Sequence, residues 1–197
     1  MMRFILYFLL FIFCLVSSVY LCIPRAKYFI NSLIVHELPM DTSNLPTKNK
    51  AILKFAALKG PGISPTYQKA VCTEYLIQVL ENVQHLSNDQ KRKIRIITDG
   101  DIEHLLQENS PIPQGVYHAL VSSHAGIPID NIDQVKAGDL IQFWDNYFGT
   151  TYGHCGIIRA IDKDKGLISM YSSSPQTNGH GIQVYCFQKY MYFVRLK

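Results

Sequence analysis

One cysteine and one histidine, far apart in the sequence, have the settings that thiol catalysis requires. Cys72 lies in an apolar segment with helical spacing, and His154 follows Gly153 at the start of a predicted strand. A thiol becomes an active nucleophile when an imidazole within hydrogen-bond reach takes its proton and a third polar group orients that ring. A position near the amino end of a helix also favours thiolate over thiol. Cys72 and His154 are therefore the predicted catalytic pair; the competing interpretation makes Cys72 a small buried core residue.

The other six histidines have poorer settings for a general base. His36 lies in a connector punctuated by prolines, and His180 lies in a glycine-flanked turn. The remaining four lie on or beside predicted helices: His85, His104, His118 and His124. A histidine at the mouth of a strand can face a cleft while its neighbours enter the core. This setting favours His154.

The five cysteines indicate neither a disulfide framework nor a zinc site. Two lie in an apolar N-terminal segment, and the other three, Cys72, Cys155 and Cys186, have no CxxC spacing. Within one molecule, three cysteines leave at least one thiol free. Cys155 should point to the opposite strand face from His154 and is predicted to be core. No metal or organic cofactor is expected.

Helical patterns follow a predicted connector at 25–63, which itself contains a short predicted helix over 48–59. Ser64 as N-cap and Pro65 as first helical residue predict a helix that reaches residue 85 or 86. Shorter helices are predicted at three further places: after Ser87 and Asn88, from near Asp99 or Asp101, and over 113–124.

Beyond a predicted break at Gly126 and Pro128, short apolar strands separated by turn residues dominate. Five strands are predicted, over 140–144, 156–161, 167–171, 182–187 and 191–196. Because the helices come first and the strands second, the pattern predicts an α+β domain with an antiparallel sheet over 64–197.

The N-terminus predicts membrane attachment. No charged residue occurs over 4–23, and about 20 apolar residues are enough for a helix to cross the hydrocarbon core. The run exceeds the apolar region of a usual signal peptide, and no clean small-x-small cleavage site follows it. We therefore expect residues 1–24 to be an uncleaved single-pass anchor; the alternative is a cleaved signal peptide and export. Basic residues on both flanks leave the orientation open.

Composition indicates one globular domain with a short extra segment. Of the 197 residues, 48% are hydrophobic and 17% are charged, so the chain can bury a core and is not expected to be disordered. The formal net charge is +4, and the densest basic run, over 91–95, is interpreted as a solvated face. This signal does not predict a nucleic-acid partner.

Two strand motifs and the helix cysteine carry a resemblance to a known family. The motifs are "GDLIQFW" over 138–144 and "GHCGII" over 153–158. Together they resemble the NlpC-type and CHAP-type peptidases, papain-like cysteine hydrolases that act mostly on bacterial cell-wall peptides. The resemblance covers residues 64–196 and implies a papain-like domain in which N-terminal helices pack on a C-terminal antiparallel sheet.

The resemblance also implies residue roles. Cys72 would attack an amide carbonyl, His154 would take the thiol proton, and Asp139 would fix the turn before its strand. The family places the orienting residue on the next strand, where this chain has Ser173 and Ser172, ranked ahead of Gln176. The flank Val71-Cys72-Thr73-Glu74 departs from the family, which often has Asp or Asn before the cysteine and Ser-Gly or Ala-Gly after it.

Other residues are candidates for substrate binding. The oxyanion hole would use the Cys72 backbone N–H and a nearby donor, for which Tyr67 and Gln68 are candidates by proximity. The alternative for each is an ordinary exposed turn. Aromatic residues enrich the segment before His154 and either line a substrate groove or pack the loop on the sheet: Trp144, Tyr147, Phe148 and Tyr152.

The sequence therefore predicts a thiol-dependent amidohydrolase or peptidase that cleaves amide bonds of peptidoglycan at the cell envelope. Two alternatives stay open. An acyltransferase would use the same Cys72–His154 dyad, and a non-catalytic papain-like module would bind wall peptides or a membrane partner.

Overall fold

The computed structural model describes residues 38, 40–147 and 150–197. Residues 38–197 form one compact unit. The predicted anchor at 1–24, His36 and Phe148 lie outside the described residues, as does the side chain of Tyr147. Across the part of the chain that is described, none of the helices combines the length and apolar character that a membrane crossing requires.

Helices fill the first half of the described chain, as the sequence predicts. They are α1 Thr47–Ile63, α2 Cys72–Glu81, α3 Asn88–Arg95, α4 Ile102–Gln107 and α5 Val116–Ser122. Short 3-10 turns lie at Ile112–Gln114 and Ile132–Gln134. The predicted starts of α3 and α4 are confirmed by their caps: Ser87 forms a capping box with Gln90, and the Asp101 side chain accepts from the His104 N–H.

Helix α1 occupies the predicted connector but belongs to the compact unit of the sheet. It buries Ile52, Leu53 and Ala56 in the core. It also continues past the predicted end at residue 59 to Ile63. Within this extension Gly60 lies against the His180 ring, where a Cβ would collide with it. The helix expected as a short connector element is therefore longer and is packed on the rest of the domain.

The prediction that a helix starts at Ser64 and Pro65 is wrong. Residues 64–71 form turns, and regular helix begins at Cys72. The Ser64 hydroxyl donates to Ala70 O at 2.8 Å and lies 2.8 Å from Ser173 Oγ, while its carbonyl accepts from the His180 N–H. Because these bonds tie Ser64 to the turn and to the sheet, Ser64 ends α1 instead of capping α2.

Six strands form one antiparallel sheet in the order β1-β6-β2-β3-β4-β5. Their bounds are β1 Gly126–Ile129, β2 Leu140–Tyr147, β3 Thr150–Asp162, β4 Leu167–Ser174, β5 Gly179–Cys186 and β6 Tyr190–Leu196. The α+β class and the antiparallel sheet are thus confirmed. Two differences stand out: the predicted break at Gly126 and Pro128 is an edge strand, and the strands predicted over 167–171 and 182–187 extend to Ser174 and begin at Gly179.

Both faces of the sheet are buried. Alternation along the strands sends Leu140, Cys155 and Ile157 into a core shared with the helices. The neighbouring residues Ile141 and Ile158 enter a second apolar cluster. The prediction that Cys155 is a core residue on the opposite face from His154 agrees with this alternation, since Cys155 is 0% exposed.

Asp139 fixes the start of β2, as the sequence predicts for a structural aspartate. Its carboxylate is fully buried and accepts two hydrogen bonds from Arg195, both at 2.7 Å. It also accepts from Asn49 Nδ2 on α1 and from the Lys136 N–H. The preceding Gly138 has a φ of +85° and lies against the Asn49 backbone, where a Cβ would have no room. Asp139 therefore joins α1, β2 and β6.

Candidate active site

Cys72 is the first residue of α2, which places its sulfur at the positive end of the helix. Val71 supplies no side-chain cap, so no capping group occupies the N–H groups of the first turn. These groups have no partner within the helix itself. They and the helix dipole favour negative charge on the Cys72 sulfur and on any oxyanion that forms beside it.

The pKa of the Cys72 thiol is held well below its usual value. The largest cause is a hydrogen bond with the Cys155 thiol, and the hydrogen bond and positive charge of His154 add to it; burial acts in the opposite direction. The pKa of Cys155 is raised well above its usual value by the same hydrogen bond, by burial and by the Cys72 charge. The Cys72 thiolate is therefore stabilised, with Cys155 as the protonated donor.

His154 lies on β3 and is 6% exposed. Its ring meets Phe143 edge-on at a centroid distance of 5.7 Å and lies 5.4 Å from the Tyr185 ring. The register explains the first contact, because Phe143 is directly opposite His154 on β2. These aromatic contacts restrict the rotation of the imidazole next to the sulfur of Cys72.

Gln183 on β5 is the hydrogen-bond partner of the imidazole. Its Oε1 lies 2.7 Å from His154 Nε2 and also accepts from the Tyr185 hydroxyl at 3.0 Å. Its Nε2 donates to Thr177 Oγ1, which fixes the amide with the oxygen towards the ring. His154 Nε2 therefore carries the proton, and Nδ1 is left to take the proton of Cys72.

The two serines that the sequence suggested as orienting residues hydrogen-bond elsewhere. Ser172 Oγ donates to Cys155 O at 2.6 Å, and Ser173 Oγ donates to Ala70 O at 2.5 Å. Gln176 uses its backbone N–H to contact Ser174 Oγ. Ser172 and Ser173 therefore tie β4 to β3 and to the segment before α2, whereas Gln183 holds the ring.

A cavity of about 270 Å³ opens beside the pair. Its lining consists of these residues: Cys72, Thr73, Arg95, Ile96, Thr98, Gly100, Ile102, Gln142, Trp144, Gly153 and His154. The structure thus brings the predicted nucleophile and the predicted base to one concave surface, as a catalytic dyad requires.

Trp144 is the predicted aromatic residue that reaches this cavity. Its indole N–H donates to Pro113 O at 2.7 Å. Its ring covers Gly153, where a Cβ would approach the indole to 2.8 Å. Glycine before His154 therefore allows Trp144 to lie flat against β3, so Trp144 both packs the loop and lines the cavity.

The other predicted contact residues lie outside this lining, as far as the described residues show. Gln68 is exposed, and the Tyr152 hydroxyl donates to Asp145 Oδ2 at 3.1 Å. Tyr67 is half-buried, and the pKa of its hydroxyl is raised by burial and then by the charges of Cys72 and Cys155. Of the three, Tyr67 is near the thiol pair.

Glu74 does not oppose the thiolate as an isolated charge. Arg95 on α3 donates to both of its carboxylate oxygens, from Nε at 2.5 Å and from Nη2 at 2.9 Å. The hydrogen bond from Arg95, aided by its charge, lowers the pKa of Glu74 against the effect of burial. The negative charge of Glu74 is therefore neutralised by Arg95, which itself lines the cavity.

Gln142 is a site residue that the sequence analysis missed. It is 2% exposed and lines the cavity, and its Oε1 has no hydrogen-bond partner. It lies directly opposite Cys155 on β2. The sequence gives one indication of this role, a polar residue inside an otherwise apolar strand. A buried polar group without a partner is costly, so such a residue needs an explanation.

The sequence gives little indication that Gln183 belongs to the site, because a glutamine between apolar residues is common in a strand with one exposed face. Its role appears only when β5 pairs with β4 and places Gln183 opposite Met170, within reach of His154. His180, in contrast, hydrogen-bonds to the Tyr75 hydroxyl at 3.1 Å and stacks on Tyr171. It is part of the packing and not a competing base.

Among the described residues, no group of three or more His, Cys, Asp or Glu is placed to hold a metal ion. Comparisons with protein-family models, with curated proteins and with solved structures found no match to this chain. The chemistry of the site is therefore judged from its own geometry.

Proposed function

We propose that this protein is a papain-like thiol hydrolase that cleaves amide bonds of peptidoglycan. One observation carries the proposal: Cys72 begins α2 beside His154, whose far nitrogen is held by Gln183 at 2.7 Å. Nucleophile and base thus line one cavity, and the orienting group is hydrogen-bonded to the base. The helices-then-strands order and the two strand motifs support the papain-like assignment.

The first chemical step uses the thiolate. His154 Nδ1 takes the Cys72 proton, and the sulfur attacks the substrate carbonyl carbon. The new oxyanion lies at the start of α2, where the Cys72 N–H and the helix dipole stabilise it. The imidazolium then protonates the leaving amine as the carbon–nitrogen bond breaks, which leaves a thioester on Cys72. Water, deprotonated by His154, hydrolyses the thioester and restores the thiol.

Substrate binding uses polar and apolar parts of the same cavity. The free Oε1 of Gln142 suits the N–H of a substrate amide, whereas Trp144 and Ile102 supply apolar contact. The choice of peptidoglycan follows from the resemblance of "GDLIQFW" and "GHCGII" to cell-wall peptidases. The apolar segment at 4–23 supports work at the cell envelope.

The test is digestion of purified peptidoglycan by the full-length protein, with released amines and peptides identified by mass spectrometry. Cleavage is expected with the wild type and with Cys186→Ala, because Cys186 is exposed and not in the cavity lining. Cys72→Ala should abolish it. Rapid alkylation of Cys72 without peptide release would favour acyl transfer. Alkylation of Cys72 no faster than that of free cysteine would overturn the hydrolase and favour a binding module.

A further inference from the structure

Cys155 places a second thiol against the reactive one. It is fully buried in the helix-facing core, and the Cys72 side chain packs against this same cluster. Neither cysteine is in a disulfide, and interaction with Cys155 is the largest cause of the lowered pKa of the Cys72 thiol. The third described cysteine, Cys186, is exposed at the end of β5. Redox-sensitive proteins often place a resolving cysteine next to the cysteine that is oxidised first. Here Cys155 would be the resolving cysteine and the partly exposed Cys72 the oxidised one.

We propose that Cys72 and Cys155 form a reversible oxidation site, at which a hydroperoxide oxidises Cys72 and Cys155 closes a disulfide with it. The inference goes beyond the proposed function and does not depend on it, since it requires a reactive thiolate and a neighbouring thiol but no peptidoglycan.

The first step is a two-electron oxidation. The Cys72 thiolate attacks one oxygen of the hydroperoxide, a sulfur–oxygen bond forms, and the oxygen–oxygen bond breaks. The leaving hydroxide or alkoxide takes a proton from solvent, and Cys72 becomes a sulfenic acid. Three features favour this step at Cys72: its position at the start of α2, its partial exposure and its lowered pKa.

The second step uses the neighbouring thiol. While Cys72 is a thiolate, its hydrogen bond with Cys155, burial and its charge raise the pKa of Cys155 and keep Cys155 protonated. Conversion to a neutral sulfenic acid removes that charge, so Cys155 can release its proton to the departing hydroxide. The Cys155 sulfur attacks the Cys72 sulfur, the sulfur–sulfur bond forms, the sulfur–oxygen bond breaks and water leaves. A dithiol reductant reverses the reaction by exchange.

The fold allows the sulfurs to approach. A disulfide requires a sulfur–sulfur distance of about 2.05 Å, which is shorter than a thiol hydrogen bond. Cys155 is fixed within β3, but Cys72 begins its helix and follows the turns of 64–71. Disulfide closure therefore requires the start of α2 to move towards β3. The disulfide would remove the nucleophile from the cavity and protect it from irreversible oxidation to sulfinic acid.

The test treats the reduced full-length protein with hydrogen peroxide and maps its peptides without reduction. A linked peptide pair containing Cys72 and Cys155 is expected, and dithiothreitol should release it. Cys155→Ala should lose this link and instead accumulate Cys72 sulfenic acid, trapped by dimedone, and then sulfinic acid. Cys186→Ala should form the link as the wild type does.

Oxidation of wild-type Cys72 to sulfenic or sulfinic acid without a link to Cys155 would overturn the proposal, as would a link to any other cysteine. If Cys155→Ala does not fold, the peptide map of the wild type decides alone. A protein that forms the link but releases no wall peptides would contradict the hydrolase and leave the oxidation site intact.

Discussion

At the scale of single residues, the reactivity of Cys72 depends on two neighbours from one strand. His154 and Cys155 are consecutive, and both lower the pKa of the thiol at the start of α2. Cys155 has the largest effect on this pKa, and His154 supplies the base and a positive charge. Gln183 then sets which ring nitrogen faces the thiol.

The first prediction concerns the pH dependence of Cys72 alkylation. Both neighbours stabilise the thiolate and lower the thiol pKa, so Cys155→Val and His154→Gln should each raise it. The rate of iodoacetamide labelling of Cys72 increases as the thiol loses its proton. The pH midpoint of this increase should therefore be higher in each variant than in the wild type. Cys186→Ala, which changes an exposed thiol, is the control. Unchanged profiles in both neighbour variants would contradict the assignment.

The second prediction concerns the orientation of the imidazole. Gln183→Leu removes the acceptor for His154 Nε2 and should lower peptide release roughly 10- to 100-fold, as expected when a catalytic group is misplaced. The matched control is Gln188→Leu, because Gln188 donates to Cys186 O and lies outside the cavity lining. Turnover of both variants is compared at saturating substrate. Equal loss in the two would show that Gln183 acts only through folding.

At the scale of secondary-structure elements, the amino end of α2 lacks a side-chain cap and carries the proposed nucleophile. Val71 at the N-cap is 37% exposed and offers no side-chain acceptor. Aspartate or serine would stabilise the helix at this position. An uncapped end instead leaves backbone N–H groups for a thiolate and an oxyanion, so stability is lower where the chemistry needs donors.

The third prediction follows from this helix end. Val71→Asp should cap α2 and stabilise the protein by about 1 kcal/mol, which thermal unfolding would detect. The new carboxylate should also raise the Cys72 pKa and slow its alkylation at neutral pH. Val71→Ser caps without charge and separates the two effects. A faster alkylation in Val71→Asp would count against the role of the helix end.

The fourth prediction compares two buried serines of β4. Ser169 and Ser172 are both fully buried, but Ser169 Oγ has no partner whereas Ser172 Oγ donates to Cys155 O. Ser169→Ala should leave stability unchanged or raise it, and Ser172→Ala should lower it by about 1 kcal/mol. Urea denaturation of the two variants provides the measurement, and the reverse ranking would contradict the bonding pattern.

At the scale of the whole molecule, one carboxylate connects the ends of the domain. Asp139 joins Asn49 of α1 to Arg195 of β6, although these residues are far apart in the sequence. Asp139 directly precedes β2, which pairs with β6 on one side and with β3, the strand of His154, on the other. This ion pair therefore contributes to the frame around His154.

The fifth prediction tests that connection. Asp139→Ala leaves the partly buried Arg195 without its partner and should cost about 3–5 kcal/mol of unfolding free energy. Asp133→Ala removes an exposed ion pair with Lys163 and should cost less than about 1 kcal/mol. Chemical denaturation would compare the two. Similar small losses would mean that Asp139 is not a structural anchor.

Local pattern alone determined several features of this protein. Alternation and turn residues predict the five strands from Leu140 onwards, and the caps Ser87 and Asp101 predict two helix starts. The settings of Cys72 and His154 predict the pair that the structure brings to one cavity. These features follow from short-range propensity and side-chain chemistry, which can be inferred without knowledge of the tertiary contacts.

Tertiary structure decided the rest, because long-range contacts override local signals. Ser64 and Pro65 read as a helix start, but hydrogen bonds to Ala70 and to the sheet hold them in a turn. The orienting Gln183 reaches His154 only through strand pairing across β4, and the Cys155 thiol meets Cys72 only when α2 packs on the sheet. These side-chain contacts depend on the order of the strands in the sheet and on the position of the helices, which no single segment of the sequence specifies.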